Sequence, residues 1–538
     1  MAQNPHRSFE PACARPTRVQ VTRRQTLALG GVSLGALLLS ACAGGASSGS
    51  PSTSQSGGTP KKGGTLRVSI SDGSSSDSLD PGVTTSMSSY MVVDSIYDQL
   101  VTLTADFQAQ PALAKSWNVN ADATQWTLHL REGVKWHDGS DFSSKDVVYT
   151  INRMLDPKSG NHGAAFLSPY LDTHGVSAPD ANTVVLKLKK PNGTLIQTIG
   201  NLPYASVVKD GVTAFGAKNS VGTGPFKLTG WTPGQGWKLA RNDQYWGGAP
   251  YLDGIDASIT PDQSAKVQTV LAGSTDLTDP IPVSLWVTMQ GKSNVQLETV
   301  KNKNSWIFAF DQSQKPFDDP RVIQAIKLAT DREKMVQTAL QGHGKAVADV
   351  PIDPGTTWYP KGLKPEHDVA KAKSLLAEAG FPNGLDITLS TTAAVPGMLD
   401  AAQAWQQIVK GAGINVKLNQ LPLDTYWTKG WMASSAFMDY WTSFFPPVGF
   451  GAFYAKDASY PETHHSDPTV EKTVAELMAA TDPHKQIELT QQAYLAARDS
   501  YGFLIPVFAD AAYARSPKVN GVIFNPATNF NFRKTWLA

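Results

Sequence analysis

"LAKSWNVNADATQWTLHLREGVKWHDGSDFSSKDVVYTINRMLDP", Leu113–Pro157, sets a strand pattern and a helix pattern side by side. Trp126, Leu128 and Leu130 alternate with polar residues, the two-residue period of a half-buried strand. "REG" reads as a turn after them, so Thr124–Gly139 is expected to fold as a hairpin. Ser143 stands three residues before Asp146, an N-cap with a reciprocal acidic partner. Val147, Ile151 and Leu155 then fall on one face of a helix over Ser143–Leu155. Strand and helix so close together point to a mixed α/β fold.

Upstream, "GGTLRVSIS" (Gly63–Ser71) alternates at Leu66, Val68 and Ile70 and reads as the first strand, broken by "DSLDPG". Downstream, Asn182–Pro191 reads as another strand. From about Pro320 the texture changes to alternating helix and strand. "DDPRVIQAIKLATDREKMVQTALQG" opens on an Asp-Pro cap and is expected to run as a helix to Gly342. Helix Asp368–Ala379, strand Leu385–Ser390, a helix ending near Lys410, strand Ile414–Gln420, a helix from Asp424 and a strand near Phe437–Ser443 follow. Helices Val470–Ala480 and His484–Asp499 lead into a late strand within "YGFLIPVFADAAYARS". The series predicts a sheet flanked by helices, and with the earlier mixed region it predicts two lobes.

The amino terminus is a different material. The apolar run Leu27–Leu39 is interrupted by Gly30, Gly31, Ser33 and Gly35, too short for the ~20 apolar residues of a membrane span. Arg7, Arg15, Arg18, Arg23 and Arg24 precede it and small residues close it, which is the layout of a secretory signal. "TRRQTL" places Arg23 and Arg24 as twin-arginine export signals do. "LSAC" (Leu39–Cys42) has the form of a bacterial lipobox, predicting that Cys42 becomes the lipidated first residue; a spare thiol is the alternative. "AGGASSGSPSTSQSGGTP" then offers no large apolar residue, so 42–62 reads as a flexible tether.

The chain has 538 residues, 41% hydrophobic and 9% aromatic, an ordinary globular composition. Without residues 1–41, which hold five Arg and one Glu, 42 basic residues face 45 acidic ones. That balance argues against nucleic acid as a partner. Catalytic motifs fail on context. "GVSLG" (Gly31–Gly35) lies in the leader and "GASSG" (Gly45–Gly49) in the tether, where no nucleophile elbow forms. "QGHGKA" (Gln341–Ala346) lacks the Ser/Thr and the upstream Gly of a phosphate loop. Adjacent His464 and His465 cannot share a helical face, and Glu462 and Asp467 read as ordinary loop acids, so no metal site is expected.

"YWTKGWMASSAFMDYWTSFFPPVGFGAFY" (Tyr426–Tyr454) holds eleven aromatics in 29 residues, with only Lys429 and Asp439 charged. A buried strand accounts for part of them. The Pro and Gly of "FFPPVGFG" predict a loop, and aromatics on a loop at a strand end commonly line a concave site.

Three blocks in order, Leu113–Pro157, "GTGPFKLTGWTPGQGWKLARNDQYWGGAPYLDGI" (Gly222–Ile255) and "PFDDPRVIQAIKLATDREKMV" (Pro316–Val336), make the chain resemble the extracytoplasmic solute-binding proteins of family 5, the peptide and nickel group of ABC importers. The resemblance implies a two-lobed, type II periplasmic-binding-protein-like α/β clamshell. Lobe I would span 63–303, with an extra subdomain at about 110–220, and lobe II 304–503. Residues 504–538 would return to lobe I. It implies a receptor, not an enzyme, that needs no cofactor and hands di- or oligopeptides or a related small solute to an ABC permease. An oligosaccharide or another uncharged or chelated solute is the alternative within that class, and a secreted hydrolase the alternative outside it. The protein would be an extracytoplasmic monomer that meets the membrane through its lipid alone. Peptide-binding members commonly carry Trp, two residues, then an Asp for the ligand's ammonium; here Trp441 is matched and Phe444 stands at the acid's place. Trp441, Phe444, Phe445, Tyr440 and Trp427 are therefore expected as ligand walls, faced from lobe I by Ser86, Ser88 and Tyr90 on the loop after the first strand.

Overall fold

Leu66, Val68 and Ile70 are completely buried in β1 (Thr65–Ile70), as their alternation requires, and Ser69 is buried as well, so the end of β1 is covered on both faces. The computed structural model describes residues 58–393, 395–422, 425–525 and 528–538; Arg23, Arg24, Cys42 and most of the tether lie outside the described residues. Helix Met87–Ile96 shares a buried core with β1 through Met91, Val92 and Ile96.

A separate antiparallel sheet follows, with β2 (Ala114–Val119), β3 (Gln125–Leu130), β4 (Val176–Asp180) and β5 (Thr183–Lys187) in the order β2-β3-β5-β4. Trp126, Leu128 and Leu130 are buried as expected, but β3 does not pair with the residues after it. Its neighbours are β2 and β5, whose Val184 and Leu186 supply a matching apolar face. Beyond the turn only an isolated bridge, Lys135 to Asp141, forms, so the hairpin expectation is corrected. Helix Ser144–Leu155 carries the capping box, with the Ser143 amide donating to Asp146 Oδ2 at 2.7 Å.

The main sheet is built from β6 (Phe226–Thr232), β7 (Gly236–Arg241), β8 (Gly254–Ile259), β9 (Leu277–Thr278), β10 (Gln296–Phe310), β11 (Leu385–Thr391), β12 (Ile414–Gln420), β13 (Ala436–Thr442) and β14 (Val507–Arg515). With β1 they form one path, β12-β11-β13-β10-β14-β9-β1-β8-β7-β6. The long strands β10 and β14 carry the sheet from one lobe into the other. A β-bulge interrupts their register between Val300 and Asn304, where Asn302 takes a positive φ of 52°. A bulge bends and twists a strand, and here it divides the sheet into two halves.

In the second half, β11, helix Met398–Val409 and β12 make a parallel crossover, the βαβ texture read from the sequence. The helix expected from Pro320 to Gly342 is instead two, Pro320–Ala329 and Arg332–Ala339. Asp331, inside the apolar pattern, caps the second by accepting the Lys334 amide at 2.9 Å, and that cap ends the first. The architecture is a two-lobed α/β clamshell. The four-stranded subdomain and the second lobe share one continuous set of buried apolar residues, while β1 and its neighbours bury a separate core.

Candidate functional site

Strand direction locates the crevice. β9 runs antiparallel to β14, β14 antiparallel to β10, and β1 and β8 run parallel to β9. The carboxyl ends of β1, β8 and β9 therefore point along β10 toward the second lobe. β13 is antiparallel to β10 and parallel to β11, and β12 follows β11, so their carboxyl ends point back toward the first lobe. Both sets converge on the bulge at Val300–Asn304. Ligands of open parallel sheets sit beyond the carboxyl ends of strands, and this crevice has such ends on both sides.

Its floor is the bulge. Lys303 is 2% exposed, and its carbonyl accepts the amide of Ser443, just past β13, at 3.0 Å. Asp353 accepts the Gly355 amide at 2.7 Å and a hydrogen bond from Asn302; burial pushes its carboxyl up to about 6.

On the first-lobe side, the expected loop at Ser86–Tyr90 is the start of helix Met87–Ile96, with Ser86 as its N-cap accepting the Ser89 amide at 3.1 Å. Asp72, beyond β1, accepts the Met87 amide at 3.0 Å. Burial raises the Asp77 carboxyl, opposed by hydrogen bonds from Ser86, Ser74 and Ser88. Ser88 is buried and also accepts the Trp237 indole at 3.2 Å, while the buried Tyr90 hydroxyl donates to Thr84 O at 3.0 Å and meets Tyr204 at 3.1 Å. Phe445 is met instead from both sides of the seam. The Phe445 amide donates to Asn201 Oδ1 at 2.8 Å, and its ring lies 6.0 Å from Phe107 and 5.2 Å, edge-on, from Trp358.

On the second-lobe side, "FFPPVGFG" is a loop only at Phe444 and Phe445 and turns helical from Pro446. Pro446–Gly449 makes an α turn, for which proline at the first positions is well suited, and Phe450–Tyr454 continues as a π turn. That turn sends Phe453 back onto Trp441, with ring centres 3.9 Å apart and planes 17° apart. Trp441 is 3% exposed and also meets Tyr454 and Phe503 edge-on; Phe444, 2% exposed, lies 6.1 Å from Trp441. These two rings are thus core-packed. Tyr440, half-buried on the opposite face of β13, lies 6.5 Å from both Trp306 and Trp427. The helix expected from Asp424 is a π turn over Tyr426–Gly430 carrying the buried Trp427, and Asp424 itself lies outside the described residues.

Next to this aromatic block the seam between the subdomain and the second lobe encloses a cavity of about 350 Å³, lined by Phe166, Tyr170, Lys190, Val448, Asp457 and Met478 among others. It is near the lower limit of small-molecule pockets. The Lys190 ammonium sits 4.8 Å over the Tyr170 ring. The seam is also held by the Gly193 amide donating to Met478 O at 2.6 Å.

Glu462 is not an ordinary loop acid. It is 0% exposed, and its Oε1 accepts the Trp431 indole at 3.2 Å. Asp467 caps helix Pro468–Ala479, and His464 lies 3.1 Å from Asp311. Among the described residues no cluster of three or more His, Cys, Asp or Glu is placed to hold a metal. Phe107, Asn201 and Trp358 carry no pattern in the sequence that would have marked them, because their meeting depends on how the subdomain docks.

Comparison with known proteins gives a consistent picture. The sequence pattern of the bacterial extracellular solute-binding proteins, family 5 (middle region), matches residues 108–461. The glutathione-binding protein GsiB of Escherichia coli is 26% identical over 494 residues, covering 86% of this chain and 93% of its own. The fold superposes with a TM-score of 0.75 on the periplasmic binding protein DppA of Helicobacter pylori, solved with the peptide STSA, at 23% identity over 89% of this chain and 98% of that one. The TM-score is also 0.75 with AgaA of A. tumefaciens, solved with agropinic acid, at 26% identity over 88% and 99% of the two chains.

Proposed function

The chain belongs to the bacterial extracellular solute-binding proteins of family 5, and from that premise we propose that it captures a di- or oligopeptide, or a solute of similar size, between its lobes and delivers it to a membrane permease. Membership makes it the substrate-binding protein of an ABC importer, a binding protein rather than an enzyme, in an extracytoplasmic location. The observation that carries the reading is the convergence of carboxyl-end loops from both lobes on one hinge bulge. Closure about that bulge follows if the solute binds the closed form better than the open one. Cys42 as a lipid anchor, Arg23 and Arg24 as the export signal, and lobes spanning 63–303 with 504–538 and 304–503 complete the proposal. Replacing both arginines with lysine should block export if the twin-arginine route is used.

Tyr440, half-buried on the opposite face of β13, is the best-placed of the expected wall residues, with Trp427 beside it, while Phe445 is enclosed at the seam. Trp441 and Phe444 act behind them as packing. That packing favours a second reading. Phe444 fills with a ring the place where peptide receptors set an acid, and the Asp439 carboxyl is committed to the Trp441 indole and the Tyr440 amide inside the lobe. A buried ammonium without its carboxylate carries a cost of several kcal/mol. An amine-blocked peptide or an uncharged solute avoids it.

Native mass spectrometry of gently purified protein, followed by thermal shifts against peptide, blocked-peptide and sugar panels, separates these readings. A ligand at 100 times its Kd adds about 2.7 kcal/mol. Shifts by free-amine peptides alone would end the second reading, and turnover of any panel member would end both.

A further inference from the structure

Behind the Trp441 ring, the second lobe buries two carboxyl groups against each other. Asp439 on β13 is 7% exposed and Glu462 is 0% exposed. The two carboxyls lie within reach of each other's charge and of the same two indoles, and Glu462 Oε2 is buried with no hydrogen-bond partner among the described residues; ionised carboxylates only accept, so a proton kept on one acid is the donor this site lacks. Their hydrogen-bond partners are donors: the Tyr440 amide at 2.7 Å and the Trp441 indole at 3.3 Å to Asp439, and the Trp431 indole at 3.2 Å to Glu462.

The titratable groups facing the pair are phenols. Tyr426 comes from the π turn before β13 and gives its hydroxyl to Met438 O, Tyr454 from the π turn after β13, and Tyr460 from the segment before Glu462; burial holds all three neutral. The neighbouring His464 turns to Asp311. Among the described residues no lysine, arginine or histidine forms an ion pair with either carboxyl. A buried pair of this kind lowers its charge by keeping a proton.

We propose that Asp439 and Glu462 share one proton in the folded protein at neutral pH, forming a clasp on the Trp431 and Trp441 indoles that acid tightens and alkali loosens. Both are positioning residues, acting on the aromatic block through the indole N–H groups. The clasp needs no solute, so it stands or falls separately from the identity of the ligand.

The sign follows from proton counting. In the unfolded chain both carboxyls ionise near about 4. Folded, the pair keeps a proton above that range, because burial and mutual repulsion oppose the second charge. Between those limits the folded state binds one proton more, so its stability falls as pH rises, by about tenfold in the folding constant per pH unit. The contribution is complete below the unfolded range and gone once the folded pair has ionised.

The test is urea unfolding of the full chain at fixed salt between pH 5 and pH 8, for the parent protein, Glu462→Gln and Asp439→Asn. Glutamine can donate to a neighbouring carboxylate and still accepts from Trp431, but does not titrate. Glu462→Gln should gain on the parent steadily with pH, by about tenfold in the folding constant per unit across the window. Asp439→Asn should follow in the same direction. A parent-to-variant ratio that stays constant from pH 5 to pH 8 overturns the proposal. Should neither variant fold, ¹³C NMR of the parent with labelled Asp and Glu carboxyls decides. One carboxyl still protonated at pH 7 supports the clasp, and complete titration of all of them below pH 6 overturns it.

Discussion

The two sides of the crevice bury acids in opposite ways. At the carboxyl end of β9, Asp279 is 3% exposed and joined to Lys266, which is 0% exposed. The lysine also donates to Ser71 Oγ at 2.9 Å and Pro280 O at 2.8 Å, and Asp279 accepts the Ser71 amide at 3.0 Å. Near the carboxyl end of β13, Asp439 and Glu462 have indoles, an amide and each other, but no cation. One side is neutralised by an opposite charge and the other by withholding a charge. A paired cation ties β1, β9 and helix Gln263–Leu271 together at ordinary pH, whereas a shared proton leaves the second lobe sensitive to it.

The contrast is sharpest where a charge is stranded. Lys266→Ala leaves Asp279 buried and unpaired, and urea unfolding should show a loss of about 3–5 kcal/mol. A loss below about 1 kcal/mol would mean that the pair is open to water. On the other side, Trp441→Leu removes the partner of Phe453 but keeps an apolar filler; a loss of about 2–3 kcal/mol is expected, less than full truncation costs. If the variant keeps its stability and loses ligand affinity, Trp441 belongs to the wall rather than to the packing behind it.

Between pH 5 and pH 7 the second lobe should soften. Asp353, raised by burial to about 6, adds to the effect of the acid pair, because a carboxyl whose folded pKa is raised loses its stabilising contribution as pH climbs from the unfolded range through the folded value. Hydrogen exchange should report faster opening of β13 at pH 7 than at pH 5, after correction for intrinsic exchange, with β1 changing less. The smallest effect belongs to exposed charge. Lys485→Ala breaks the exposed i,i+3 pair with Glu488, and a change under about 0.5 kcal/mol is expected in the melt.

Where local rules decide, the fold was legible in the chain. β3 and the start of β1 alternate because one face is buried, and the Ser143–Asp146 box and the Asp319–Pro320 start are visible because caps are satisfied by neighbours in sequence. The partner of β3 was not legible, since the nearest apolar run, 134–136, loses to a strand more than fifty residues away whose face fits better. "FFPPVGFG" misleads because proline also starts helices, and the stacking of Phe453 on Trp441 stabilises the turns that follow. Five expected wall aromatics, read only as ring-rich sequence, divide by strand face and turn geometry into packed (Trp441, Phe444), seam (Phe445) and opposite-face (Tyr440, Trp427) positions. Glu462 shows the same limit most plainly. "YPETHH" carries no sign of burial, because its depth comes from Trp431 and Asp439 arriving from other elements.

Hydrogen–deuterium exchange on protein purified with its bound solute, against the same protein unfolded and refolded without it, tests most directly whether the solute is held between the lobes. Simultaneous protection of Ser71–Ser86 after β1 and of the segment from Ser443 to Ala455 after β13, with changed exchange at the Val300–Asn304 bulge, is the predicted result. Protection confined to a single lobe, with the bulge unaffected, would contradict it.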